Sequence, residues 1–149
     1  PAMKYVEVTP KETIMGRLTH AADLLTELTQ VCRERSVFVG RVEAIGAVQT
    51  ACVGFYDQAA RSYSFQTIDR PMEIVGLKGN VSLKDGEPFV HAHISLVDSD
   101  GQCYGGHLAE GTTVFACEFV IAAFDGPVFD RQPDEPTGLA LWSLESDLG

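Results

Sequence analysis

At 149 residues the chain has the length of one domain, enough to bury a normal hydrophobic core without disulfides. Eleven Lys and Arg against 21 Asp and Glu give a formal net charge of −10, the wrong sign for a protein that gains affinity for nucleic acid by releasing counterions. Direct DNA binding is therefore disfavoured. No positively charged, apolar-cored leader opens the chain, and no apolar run approaches the roughly 20 residues of a membrane helix, so the expectation is neither secretion nor membrane spanning.

In chain order, Lys4 to Val8 alternates like a short strand that Thr9-Pro10 then breaks. From about Thr19 to Arg35, Leu24, Leu25, Leu28, Val31 and Cys32 form one apolar stripe at helical period. Asp23 near the start and Arg33 and Arg35 at the end suit the dipole of that helix. After Ser36 the segments VFVGRVEAIGAV, TACVGFYD, RSYSFQTID, MEIVGLKGNVSL, PFVHAHISLV, QCYGGHLA and TVFACEFVIAAF are all strand-like. Turn chemistry separates many of them, as at Asp57-Gln58, Asp85-Gly86 and Asp98-Ser99-Asp100-Gly101. One early helix followed by many short strands predicts an α+β domain built on a mainly antiparallel twisted sheet. Residues 1–126 are expected to form that single domain. Residues 127–149 form an acidic, Pro-containing tail, with Trp142 and Leu144 as candidates to dock; its five acids face Arg131 alone, which leaves −6 for the rest of the chain.

Cys32, Cys52, Cys103 and Cys117 show no C-x-x-C pair and no dense framework, which predicts reduced thiols in a cytoplasmic protein. There is no P-loop, no G-x-G-x-x-G and no G-x-S-x-G. Nucleotide-phosphate and serine-hydrolase chemistry has no local support.

The chemistry gathers in HAHISLVDSDGQCYGGH, which holds three of the four histidines. His91 and His93 are two apart on a strand and share a face. Whether His107 joins them depends on the loop. A two-residue loop, Asp100-Gly101 or Ser99-Asp100, sets His107 opposite Ile94 or Ala92 and separates it from the others. A three-residue loop Ser99-Asp100-Gly101, a type I turn closed by Gly in the left-handed region, sets it opposite His93. Asp98 and Gly101 favour this third case. Val90, Ala92, Ile94, Leu96, Tyr104 and Leu108 then form a core face, and the three imidazoles converge on the other. Gly105 and Gly106 weaken the second strand; they can hold a bulge that reverses the parity or clear space beside the imidazoles.

Three neutral imidazoles suit a borderline-soft divalent ion, zinc or another transition metal, and leave a fourth position open. The bland alternative is a polar strand surface facing solvent. Glu118, a carboxylate inside the apolar run TVFACEFVIAA, is a candidate acceptor for a histidine N–H or a general base, with an edge-strand salt bridge as the alternative. His20 reads as surface, Cys103 as packing, and Arg41, Arg61 and Arg70 as solvated charge.

PFVHAHISLVDSDGQCYGGHL, with the earlier AIGAVQTACVGFYD and MEIVGLKGNVSL, resembles the PPC domain, the plants-and-prokaryotes-conserved family also called domain of unknown function 296. The likeness covers roughly Tyr5 to Phe124. It implies a mostly antiparallel sheet assembled as a homotrimer, with His91, His93 and His107 in the positions of zinc ligands in prokaryotic members. It assigns no role to Glu118. Family members are often labelled DNA-binding because plant relatives carry an AT-hook, and no R-G-R-P-like segment occurs here. Two readings result: a trimeric metal-binding protein that takes a small ligand or supports a reaction, or a regulatory or interaction module, including a DNA-binding one.

Overall fold

A computed structural model describes residues 3–144. The opening Pro1-Ala2 and the last five residues of the acidic tail lie outside the described residues. Nine strands and one helix follow in the order β1 (Thr9–Arg17), α1 (Leu24–Glu34), β2 (Gly40–Asp57), β3 (Ser62–Ile68), β4 (Met72–Lys84), β5 (Glu87–Val97), β6 (Cys103–Leu108), β7 (Thr113–Asp125), β8 (Arg131–Pro133) and β9 (Ala140–Trp142). The sheet is antiparallel throughout. With a single eleven-residue helix among the described residues, the architecture is mostly β rather than a balanced α+β mixture.

The strand order β1-β7-β2-β4-β5-β6 closes on itself, because the far end of β2 also pairs with β6. One 18-residue strand makes this possible: its first half lies between β7 and β4, and its second half carries β3 and meets β6 at Val53 and Gly54. The two strand-like segments read separately in the sequence are thus one continuous strand. The enclosed space is filled by Val42, Val48, Leu77, Val81, Ile94, Leu96, Leu108, Val114 and Ile121, each almost wholly buried. Helix α1 lays Leu24, Leu28 and Cys32 on this core beside β5. Burial drives the Cys32 thiol pKa up to about 12, so it behaves as a small apolar side chain.

Two boundaries depart from expectation. The first strand begins at Thr9, where Lys4 to Val8 had been expected to be extended and Pro10 to end it. β1 is an edge strand paired only with β7, and the register shifts between Pro10 and Glu12; an edge with a bulge is where a strand tolerates proline. The helix begins at Leu24 rather than near Thr19, because Asp23 is its N-cap and accepts from the Thr26 amide at 2.9 Å. Such a cap stabilises a helix by about 1 kcal/mol.

The tail packs on the body. Phe129 and Leu144 are buried with Val39 in a second small core, against which Val6, Val8 and Phe124 rest. Trp142 packs at a tilt against Phe129 with ring centres 5.0 Å apart and donates its indole N–H to Ser82. The Asp130 carboxylate accepts from the Asp85 and Gly86 amides at the tight β4–β5 turn. Strands β8 and β9 then form a hairpin whose connection reaches the β2–β3 hairpin, where Tyr56 donates to the Thr137 carbonyl and Arg61 to that of Glu135.

Candidate metal centre

The geometry of the site rests on the loop between β5 and β6. Val97 faces Cys103, the Asp98 amide donates to the Gln102 carbonyl at 3.0 Å, and Gly101, at φ +80°, donates to the Asp98 carbonyl. Ser99, Asp100 and Gly101 are therefore the three loop residues. Asp98 holds the turn from inside, one carboxylate oxygen accepting the Asp100 and Gln102 amides at 2.9 and 3.0 Å. Arg70 lies over the Tyr104 ring and donates to its hydroxyl, with its guanidinium 3.8 Å from the Asp98 carboxylate. The Gln102 amide is the foremost reason that the Asp98 carboxyl titrates below its ordinary value, ahead of the Asp100 amide, the Tyr104 hydroxyl and Arg70; burial opposes them.

In this register His93 stands directly opposite His107. Val90, Ala92, Ile94, Leu96 and Leu108 face the core, all buried, with Tyr104 partly buried beside them. No register shift occurs along β6. A Cβ on Gly105 would stand 2.7 Å from the Ile94 carbonyl oxygen, and one on Gly106 2.7 Å from that of Gly54. These glycines make room for neighbouring backbone, β5 on one side and β2 on the other, rather than for a bulge.

The three imidazoles meet on the opposite face. Their ring centres are 5.1 Å apart for His91 and His93, 5.0 Å for His91 and His107, and 5.7 Å for His93 and His107. One nitrogen from each can be chosen so that all three lie within 4.8 Å of one another. A tetrahedral zinc with bonds of about 2.0 to 2.1 Å needs its ligand nitrogens about 3.3 Å apart, within reach of modest side-chain rotation. Burial, then the charges of Arg131, His107 and His93, lower the His91 pKa to about 4. His107 is lowered as well, by burial and then by His93 and Arg131. Both are thus neutral at neutral pH, the form that ligates metal. The His107 Nδ1 is buried with no hydrogen-bond partner, a costly state for an imidazole unless another group takes up its lone pair or proton. The residues present fit a divalent metal.

Around this centre, the Tyr63 ring of β3 lies tilted against His107 with ring centres 5.0 Å apart, and Arg131 of the tail brings its Nη2 to 3.5 Å from His91 Nδ1. Sequence reasoning missed both. Tyr63 carries no signal of its own; Arg131 does, as the single cation in an acidic tail.

The other candidates lie elsewhere. Glu118 is exposed on β7, across the sheet from β5 and β6, with Arg17 and Ile45 as its register partners. It lines a surface groove with Met15, Ile45, Val75 and Phe115 that includes none of the three histidines. Within one chain the fold does not bring it to them. His20 is exposed, its Nδ1 2.8 Å from the Phe115 carbonyl oxygen. Cys103 is exposed beside the turn and outside the histidine cluster. Arg41 pairs with Glu43, and Arg61 and Arg70 have the partners described above. All four cysteines are free.

A strongly curled antiparallel sheet with one helix and three converging histidines defines a class of small β domains with a metal-type donor set. The domain family described as Plants and Prokaryotes Conserved (PCC) domain matches residues 5–125, and the chain belongs to it. A metal-containing protein from Archaeoglobus fulgidus has a solved structure similar to this one, with a TM-score of 0.90 and 39% identity over 94% of this chain and 99% of that one. A plant- and prokaryote-conserved protein from Pyrococcus horikoshii superimposes with a TM-score of 0.89 and 33% identity, over 95% and 97% of the two chains. The bifunctional protein GlmU of a Synechococcus strain is 33% identical over 125 residues, 82% of this chain. The chain spans about a fifth of the length of the curated relatives it matches.

Proposed function

We propose that His91, His93 and His107 hold a divalent transition metal, with zinc as the resident ion, and that this centre binds a small ligand. The observation that carries the reading is the convergence of three imidazole nitrogens within 4.8 Å, two of the rings held neutral by their surroundings. The similarity to a metal-containing protein over nearly the whole of both chains supports it. Such an ion, when bound, supplies a Lewis acid with an open coordination position. The chain's own part is to orient the rings through the three-residue turn and to leave His93 open to solvent.

Metal content of protein purified without chelators, followed by metal titration of His91→Ala, tests the reading. Near-stoichiometric metal in the wild type and an affinity lowered at least tenfold in the variant are expected; metal-free wild type together with an unaltered variant affinity would end it.

The assembly is proposed to be a homotrimer in the cytoplasm. Met15, Ile45, Val75 and Phe115 are 79%, 59%, 61% and 56% exposed and line one groove, a clustered apolar surface of the kind that subunit contact covers. Light scattering should give three times the 16.2 kDa chain mass. Four free thiols suit a reducing compartment; among the described residues no helix is long and apolar enough to cross a membrane. The DNA-binding alternative must contend with a net charge of −10, and binding to duplex DNA is expected to be undetectable even at low salt.

A further inference from the structure

Arg131 is the unusual charge in this molecule. Asp130 fastens the tail to the β4–β5 turn, and the next residue projects its guanidinium beside the histidines. Phe89 and Trp142 flank it, their ring centres 5.1 and 5.9 Å from its central carbon. Nη1 donates to the Ala140 carbonyl at 3.0 Å. The other edge of the fork is poorly served: Nη2 lies 3.4 Å from Asn80 Oδ1 and 3.5 Å from His91 Nδ1, at the outer limit of hydrogen bonding, and Nε is buried with no partner. None of the ion pairs among the described residues includes Arg131.

A partly desolvated cation without a counter-charge is costly. A divalent ion held by the three histidines would add positive charge beside it, and imidazole ligands carry no negative charge to offset either. The ligand that balances this arrangement is an anion. Its two oxygens would serve the Nε–Nη2 edge and the open coordination position, and a planar carboxylate matches the guanidinium fork in geometry. The rings of Phe89 and Trp142 beside Arg131, and of Tyr63 beside His107, suit an organic body rather than a hydrated inorganic anion. The exposed His93 marks the open side.

We infer that the site binds a small organic acid, with Arg131 as the residue that selects its carboxylate. This inference rests on the metal reading above and names the class of ligand that the centre takes. Arg131 stands outside residues 5–125, so the acid-binding element belongs to the tail and not to the segment that defines the family.

Cobalt(II) as the probe ion makes the test spectroscopic. Uptake of cobalt is measured for wild type, Arg131→Gln and Arg131→Lys, and each loaded protein is then titrated with acetate and with neutral acetamide while the visible absorption bands are followed. The wild type should take up cobalt and respond to acetate but not to acetamide. R131Q should hold cobalt at least as tightly, since a repelling charge is gone, yet need roughly tenfold more acetate. R131K, which keeps the charge and loses the fork, should fall between them, and it decides the question if R131Q does not fold. Equal acetate affinity in loaded wild type and R131Q would overturn the inference and leave the metal reading intact. Loss of cobalt from a folded R131Q would also overturn it, by making Arg131 a support for the imidazoles. A wild type that takes up no cobalt removes both readings together.

Discussion

The two faces of the β5–β6 hairpin use the same backbone for opposite ends. On the inner face Ile94, Leu96 and Leu108 are at most 2% exposed and close-packed. On the outer face His91, His93 and His107 are half-buried or exposed, and one ring nitrogen has no partner. The inner face holds the fold together, whereas the outer face leaves hydrogen-bonding capacity unmet at the proposed metal site. Adjacent residues on one strand thus divide between the core and the proposed metal site by parity alone.

The largest disturbance should come from the element that sets this parity. Deleting Ser99 shortens the loop to two residues and moves every β6 side chain relative to β5. A loss of about 3 kcal/mol or more in urea unfolding is expected, because Tyr104 and Leu108 leave the core face, together with loss of metal binding. If the deletion variant kept both properties, the division by parity would be wrong. Leu96→Ala attacks the inner face only and should cost about 2 to 5 kcal/mol, with metal affinity preserved when titrated well below the unfolding midpoint. His91→Ala should do the converse, changing the stability of metal-free protein by less than about 1 kcal/mol while metal affinity falls at least tenfold. A variant of either kind that moved both readouts would show that the two faces are coupled.

The smallest effect is expected at Asp98, and it depends on pH. Its carboxyl titrates lower in the folded protein, chiefly because the Gln102 amide donates to it. A depressed folded-state pKa contributes stability that is complete above the unfolded value, about 3.9, and is lost as pH falls through the folded one. Acid unfolding below about pH 4 should therefore be less steep for Asp98→Asn than for the wild type, with little difference between the two slopes at neutral pH. Circular dichroism across an acid titration measures this; parallel curves would remove Asp98 from the acid sensitivity of the fold.

Much of this was legible in the sequence because it depends on short-range rules. The turn residues Asp98 and Gly101 announced the loop length, and the loop length placed His107 opposite His93. The helix followed from its apolar stripe, although its start awaited the Asp23 cap. What escaped depends on the sheet as a whole. Pro10 is admissible only because β1 lies at the edge, a fact of strand order and not of local composition. Gly106 proved to accommodate the backbone of β2, a contact that the β5–β6 hairpin does not contain. Glu118 looked like a buried carboxylate inside an apolar run, but it alternates onto the exposed face of β7 between buried Cys117 and Phe119, in a groove that includes none of the histidines. Arg131 reaches His91 only because Asp130 finds the β4–β5 turn 44 residues earlier in the chain.

The three-residue loop also bears on the order in which the molecule is made. The pairing of β2 with β7 joins Gly40 to Ala123, a closure across most of the chain, whereas His93 meets His107 within one hairpin. Hairpins form in roughly 1 to 10 μs, well ahead of the distant pairings that limit the folding of β proteins. The imidazoles can therefore come together in a chain that has not yet closed its sheet, and an ion captured at that stage would hold the correct register of β5 and β6 while the long β2 strand finds its partners.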